Sequence, residues 1–389
     1  MNLKFRFSLL GIGLCATSLV MAQQQAPSIN VVTSAVPFLR IGADARAGGM
    51  ADVGVASSPD GNSSFWNVSK SAFLTSKGGM AVSYTPWLKD IGVNDVFMAA
   101  LAGYYKLDGE SAITGSLRYF NLGEIQFTDF SGNPISTGKP TELGVDVGYS
   151  RKLSERWSVG AAIRYINSNL ARGYASSNGV TYQAGTTVAG DLTAFYDGTD
   201  EIGKGWRFGA AFTNLGGKIG YTNNPEEKDY IPANMGLGVS YTAAFDEQNK
   251  LMLGLDMNKL MVPTPPVATN DSATDANALI EYRSQSVVSS WFTSFTDAPG
   301  GFKEELQELQ FGLATEYSYA NQFFVRAGYF YENVNKGNRK YFSAGVGIKF
   351  NAMDLNFSYL VPSGSGTTRN PLSKTLRFTL AFDFGRLEN

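Results

Sequence analysis

The stretch from Thr141 to Asn167 alternates with a strict period of two, and that period limits what the chain can fold into more than any other feature. Leu143, Val145, Val147 and Tyr149 alternate with Glu142, Gly144, Asp146, Gly148 and Ser150. After a polar turn from Arg151 to Arg156, Trp157, Val159, Ala161, Ile163 and Tyr165 alternate with Ser158, Gly160, Ala162 and Arg164. Successive side chains of a strand point to opposite faces, so one face of this hairpin is apolar throughout. The other face carries Glu, Asp, Arg, Ser and several glycines. Strands of about ten residues, apolar outside, polar inside and aromatic at the tips, are the pattern of an outer-membrane barrel. Taken alone, the hairpin fits a half-buried pair in a soluble sheet equally well.

The connections separate the two readings. The same alternation recurs from Gly79 onward in fourteen segments, at 79–86, 96–107, 111–121, 141–151, 156–167, 187–196, 205–215, 235–245, 250–259, 310–319, 323–332, 340–350, 353–361 and 374–384. Long connections (87–95, 122–140, 168–186, 216–234, 260–309) alternate with short ones (108–110, 152–155, 197–204, 246–249, 320–322, 351–352). A soluble β protein gives no reason for this. Outer-membrane barrels do, with short periplasmic turns and longer extracellular loops, and an even strand number leaves both ends in the periplasm. The expectation is an all-β chain: a 14-stranded antiparallel transmembrane β-barrel with an N-terminal plug segment. Trp87 should sit at the outer membrane boundary, Trp157 and Trp206 at the inner one.

Composition agrees and excludes other classes. Charged residues make up 17%, aromatics 13%, and 43 glycines suit a lumen that needs small side chains. The net charge of −2 offers nothing to a nucleic acid. The chain has no histidine, which removes Ser-His-Asp and Cys-His relays and any His-ligated metal. Its one cysteine, Cys15, allows no intrachain disulfide. Residues 1–22 read as a secretory signal peptide, with Lys4 and Arg6 at its start, an apolar run from Ser8 to Met21, and cleavage before Gln23. Leu14 is too bulky for a lipoprotein signal at Cys15, and cleavage takes the net charge from −2 to −4. After residue 22 no apolar run reaches the 18 or so residues of a membrane helix, so a membrane form must be a closed barrel.

Residues 23–78 are the expected plug, and 79–389 the barrel with a long extracellular loop at 260–309. The plug segment is rich in Gly, Ala, Ser and Asp, which pack backbone closely. Its candidate residues are Pro37, Phe38, Arg40, Asp44, Arg46, Gly48, Gly49, Trp66 and Asn67. Phe38, Leu39, Ile41, Phe65 and Trp66 need burial, which favours a place inside the barrel over a surface extension. Arg118, Glu142, Asp146, Arg164, Asp191, Arg207 and Arg326 fall at inward positions. Glu142 and Asp146 share a face and could form an acid/base pair, but lumen charges paired with arginines or with the plug are the ordinary case. No catalytic, cofactor or metal constellation is present in the sequence. Loop 260–309 opens with Pro263, Pro265 and Pro266, crosses a polar tract, and carries Trp291, Phe292 and Phe295 before a short helix from Phe302 to Leu309. Such a cluster outside a cell must fold back as a lid or meet a partner.

The run from Ser34 to Ala56, with Pro37-Phe38-Leu39-Arg40 and Asp44-Ala45-Arg46-Ala47-Gly48-Gly49-Met50, resembles the N-terminal signature of the PorV family, outer-membrane barrels of the type IX secretion system within the FadL-like group. The segment Ala45 to Met50 is shared across FadL-like barrels; the longer run through Ser58 and Pro59 is closer to PorV. The resemblance implies a non-enzymatic shuttle. Such a protein would bind cargo proteins carrying a C-terminal signal domain at a SprA/Sov-type translocon and pass them to a PorU-type attachment complex, with outer-membrane lipid around it. The FadL-like resemblance implies a rival, a channel for hydrophobic small molecules. A third reading, lipopolysaccharide O-deacylation, meets the absence of histidine and of any Ser-Lys motif.

Overall fold

A computed structural model describes residues 30–89, 92–129, 131–171, 180–269, 271–362 and 374–386. The expected signal peptide at 1–22 lies outside the described residues. The strands are β1 (Ser76–Pro86), β2 (Val96–Lys106), β3 (Ser111–Leu122), β4 (Ile125–Thr128), β5 (Pro134–Gly138), β6 (Thr141–Lys152), β7 (Trp157–Asn169), β8 (Gly185–Asp197), β9 (Gly205–Gly216), β10 (Asn234–Ala244), β11 (Asn249–Leu260), β12 (Gln310–Tyr319), β13 (Phe323–Tyr331), β14 (Lys340–Phe350), β15 (Met353–Pro362) and β16 (Leu376–Arg386). Fourteen of them form one closed antiparallel barrel in sequence order, sealed by β1 pairing with β16. All fourteen segments expected from the alternation are present, with ends shifted by a few residues. Among the described residues no helix is long and apolar enough to cross a membrane, so crossing falls to strands that satisfy one another's backbone groups around a ring without edges.

The register explains the two faces. Val147 on β6 stands directly opposite Ile163 on β7, and both are two-thirds exposed, at 68% and 69%. Asp146 stands opposite Arg164 one residue away on the other face, and both are buried. An apolar outside and a charged inside is the reverse of a water-soluble protein and suits a lipid surround. At the turn end of the barrel, Trp157 packs on Tyr196 at 5.0 Å and Trp206 on Tyr241 at 4.8 Å between ring centroids, with both indoles half exposed. These exposed aromatics fit a girdle at the turn end, the end expected to lie at the inner boundary. Trp87 departs from expectation. Pro86 takes the outward position at the end of β1, so the next residue turns inward, and the indole stacks edge-on against Phe120 at 5.2 Å.

The third connection also departs from expectation. Instead of an irregular loop it holds β4 and β5, a two-stranded ribbon outside the barrel sheet. Asp129 turns it by accepting the backbone N–H groups of Ser131 and Asn133 at 2.8 Å each. The ribbon was invisible in the sequence because it is exposed on both faces and so has no apolar alternation.

The lipid-facing assignment is testable at mid-strand. Ile163→Arg should lower the stability of the refolded barrel in lipid vesicles by about 2–4 kcal/mol, the cost of a guanidinium at the bilayer midplane. Urea titration followed by tryptophan fluorescence reads it, and an unchanged midpoint would contradict the outward assignment of this face.

Candidate lumen and outer-loop sites

Residues 30–75 run from the long-loop end of the structure to its turn end, and their contacts go all the way round the barrel. Pro37 opens a short 3-10 turn (Pro37–Arg40) that buries Phe38 and Leu39 against Gly144 of β6. Asp44 caps the single turn α1 (Ala45–Gly48), accepting the Ala47 N–H at 2.8 Å and the Trp66 indole N–H at 2.6 Å. Arg46 leaves that turn towards β12. Its Nε and Nη2 donate to the two oxygens of Glu316 at 3.1 and 3.0 Å, and Nη1 donates to Asp60 at 2.9 Å. Arg326, opposite Glu316 on β13, completes the cluster at 2.6 Å. This bidentate geometry is the one arginine makes best with a carboxylate.

The other walls are held in the same way. Asp256 of β11 accepts the backbone N–H groups of Gly54 and Val55 at 2.8 and 2.9 Å. Asp52 pairs with Arg377 of β16 and accepts the Tyr341 hydroxyl at 2.8 Å. Asn67 donates to the carbonyls of Val55 and of Ala194 on β8, at 3.0 Å each. Arg118 of β3 donates to the carbonyls of Leu39 and Phe65 at 2.9 and 3.2 Å. Lys70 is buried, with its ammonium on Gly54 O and Ser57 Oγ. Between these anchors the backbone lies directly on the strands. A Cβ on Gly345 would meet Gly49 Cα at 2.9 Å, and one on Gly328 would meet Ala51 N at 2.5 Å. The glycines of the inward face and of the Gly48-Gly49 pair therefore serve close approach rather than phosphate binding.

Two cavities lie on either side of this segment. Towards the loop end, about 490 Å³ is lined by Phe38, Trp66, Trp87, Phe120, Arg118 and Asn258 among others. Towards the turn end, about 370 Å³ is lined by Arg46, Asp60, Tyr104, Lys349, Asp354 and Asp383 among others. Of the inward charges, Asp146, Arg164 and Asp191 form one buried ion cluster, with Arg164 to Asp191 at 2.8 Å. Glu142 accepts from Ser168 at 2.8 Å and stands apart from it. Arg207 pairs with Asp197 at 3.1 Å. The acid/base pairing of Glu142 with Asp146 has no geometric counterpart: Asp146 is committed to Arg164.

The long loop is more ordered than its sequence suggests. It carries α2 (Ser272–Ser284), α3 (Val287–Thr293) and α4 (Phe302–Gln307). The last was expected. The polar tract forms α2 because Asp271 caps it, accepting from Ala273 N and Thr274 Oγ1; without an apolar stripe it gave no periodic signal. Lys259 at the end of β11 donates to Glu305 and Glu308 at 3.0 and 2.5 Å, and Lys336 donates to Glu304 and Glu308 at 2.6 and 3.0 Å. Burial pushes the Asp297 carboxyl up, against hydrogen bonds from Thr264. The three aromatics do not form one cluster. Phe295 lies under the Lys259 ammonium at 5.5 Å, Trp291 is half-buried, and only Phe292 stands out, at 72% exposure, one turn from Val288 on α3.

A sequence model of the family described as type IX secretion system protein PorV matches residues 22–267. The chain belongs to the PorV family. That places it in the Gram-negative outer membrane, associated with the type IX secretion system. A comparison with curated proteins finds no match. Among solved structures, the CymD monoaromatic hydrocarbon channel is similar at a TM-score of 0.53 and 12% identity, over 90% of this chain and 99% of that one. The Ralstonia pickettii toluene transporter TbuX gives 0.52 and 13%, over 89% and 98%. The Pseudomonas putida toluene transporter TodX gives 0.51 and 12%, over 91% and 98%. At these identities the likeness is one of fold.

Within the PorV-family motif, Asp44 meets Trp66, Asn67 meets the β8 wall, and Gly48 and Gly49 meet Arg377 and Gly345. Arg40 reaches across to Gln310 of β12. The reading of the motif missed Asp52, Lys70, Asp256, Glu316 and Arg377, the partners that hold it. Isolated charges at strand positions show which face they occupy but not which distant residue they meet. Glu316→Ala should leave Arg46 and Arg326 without their shared carboxylate and cost about 3–5 kcal/mol. A lower thermal unfolding midpoint of the purified barrel checks this, and an unchanged midpoint would show that the cluster anchors nothing.

Proposed function

We propose that the protein is a non-enzymatic docking shuttle of the type IX secretion system. In this reading it binds the C-terminal signal domain of secreted cargo at a SprA/Sov-type translocon and delivers it to a PorU-type attachment complex. Residues 30–75 act as a plug. The observation that carries the reading is the arrangement of the lumen: anchors on β3, β8, β11, β12 and β16 hold the segment across it, and the spaces left are about 490 and 370 Å³. A folded domain needs far more room, so transfer has to run over the outer loops. Family membership supports the system, and the apolar Val288–Phe292 face on a salt-bridged loop supports the surface. Exposed apolar faces on ordered elements are the usual mark of a partner site.

The second reading is a channel for hydrophobic small molecules. The aromatic lining of the outer cavity favours it, as does a fold shared with toluene transporters. Affinity purification from native outer membrane in mild detergent, followed by mass spectrometry, separates the two. Wild type should carry a very large translocon barrel and signal-domain cargo. Phe292→Ser should reduce their recovery several-fold with the barrel intact, and Trp291→Ser less so. Phe295→Ser should act only by loosening the loop. Recovery of the barrel alone with bound hydrocarbon or lipid would favour the channel.

A further inference from the structure

The N-terminal stretch connects the lumen to the outer loops, and we propose that residues 30–40 form a cell-surface strap that fastens the long loop to the segment inside the barrel. Three contacts define its outer end. Asn30 Nδ2 donates to the carbonyl of Pro265 at 3.1 Å, at the start of the long loop. The backbone N–H of Ala35 donates to the carbonyl of Tyr230 at 2.8 Å, in the connection between β9 and β10. Between them Val32 packs on a small apolar cluster of Tyr230, Val262 and Tyr282. Tyr282 belongs to α2, and the Tyr230 hydroxyl donates to its backbone carbonyl at 3.0 Å. The strap thus touches two outer connections and, through them, the first helix of the long loop.

The inner end is fixed separately. Val36 is buried and held at φ 47°, ψ 50°, a conformation a β-branched residue adopts only where its surroundings dictate it. Four residues further, Arg40 donates to Gln310, whose amide donates to Glu332 at 2.7 Å; Arg339 holds the same carboxylate at 2.8 Å. Gln310 is the first residue of β12 and follows directly on the long loop. Both ends of the loop are therefore tied to one stretch of chain, at Pro265 by Asn30 and at Gln310 by Arg40. A chamber of about 380 Å³ lies between, with Val31 to Ser34 on one side and Glu308, Lys336 and Arg339 on the other.

Two consequences follow. The strap, with Thr33 exposed, faces the cell exterior although it leads into the lumen. The position of the loop then depends on the strap as well as on the salt bridges at its base. Insofar as the loop is the docking surface of the function proposed above, the strap then makes docking depend on the lumen segment.

The only cysteine is Cys15, so single-cysteine variants report cleanly. On intact cells a membrane-impermeant maleimide should label Thr33→Cys at a rate within several-fold of Asn223→Cys in an outer connection. Gln248→Cys, in a turn at the other end, should react only after the cells are opened. Thr33→Cys behaving like Gln248→Cys would overturn the surface placement. For the fastening, trypsin cleavage at the exposed Lys303 of the purified full chain should be roughly tenfold faster in Val32→Asp than in wild type. Asn30→Ala, which disturbs packing less, should lie between, and heat-modifiable gel mobility confirms a folded barrel in each. Equal cleavage in all three would overturn the strap. Both assays work without a partner, so a failure of the docking reading leaves their outcome unchanged.

Discussion

A buried arginine inside a membrane barrel must find its counter-charges or hydrogen-bond acceptors inside that same barrel, because lipid cannot solvate it. Here that constraint joins the N-terminal segment to strands 270 and 325 residues further along the chain. Arg46 meets Glu316, Glu316 meets Arg326, and Asp52 meets Arg377. Neither the wall nor the N-terminal segment is electrostatically complete alone. Such pairs add little net stability over an apolar packing, but each is costly to break and fixes position closely. The inward glycines complete the fit by letting backbone lie on backbone, as at Gly345 against Gly49.

The same division of labour recurs at the outer end. Lys259, Glu305, Glu308 and Lys336 hold the base of the long loop as Arg46 and Glu316 hold the lumen segment. What stays exposed beside these braces is the apolar face of α3, with Phe292 and Val288. A rigid element presenting an apolar face loses little entropy on meeting a partner. The fold is shared with hydrocarbon channels at 12–13% identity, so fold alone does not choose between conduit and dock. In the function we propose, the contents of the lumen and the build of the loop carry that choice.

Much of the barrel was legible in the sequence because lipid and lumen impose opposite demands on adjacent residues. Val147 and Asp146 differ by one position and by the solvent they face, and that contrast repeats through fourteen strands. Segments without two contrasting faces were not legible. The β4–β5 ribbon is exposed on both sides, and α2 rests on an Asp271 cap rather than an apolar stripe. Trp87 was misplaced because parity, counted from Pro86, outweighs the preference of tryptophan for a membrane boundary. In the sites, the residue types of the motif were readable and their partners were not. Asp44 finds Trp66 22 residues away, but Asp52 finds Arg377 across 325, and no local pattern encodes that distance. Phe295 reads in the sequence as one apolar cluster with Trp291 and Phe292; its contact with Lys259, on a different element, has no local signal.

Ion conductance of the purified barrel in planar lipid bilayers tests the central claim most directly. If the anchored N-terminal segment closes the lumen, the wild-type protein gives no steady conductance step above that of the bare membrane, while Arg46→Ala combined with Asp52→Ala, which removes two of its charged anchors, gives intermittent openings. A steady open level in the wild type would contradict the account and return the protein to the channels whose fold it shares.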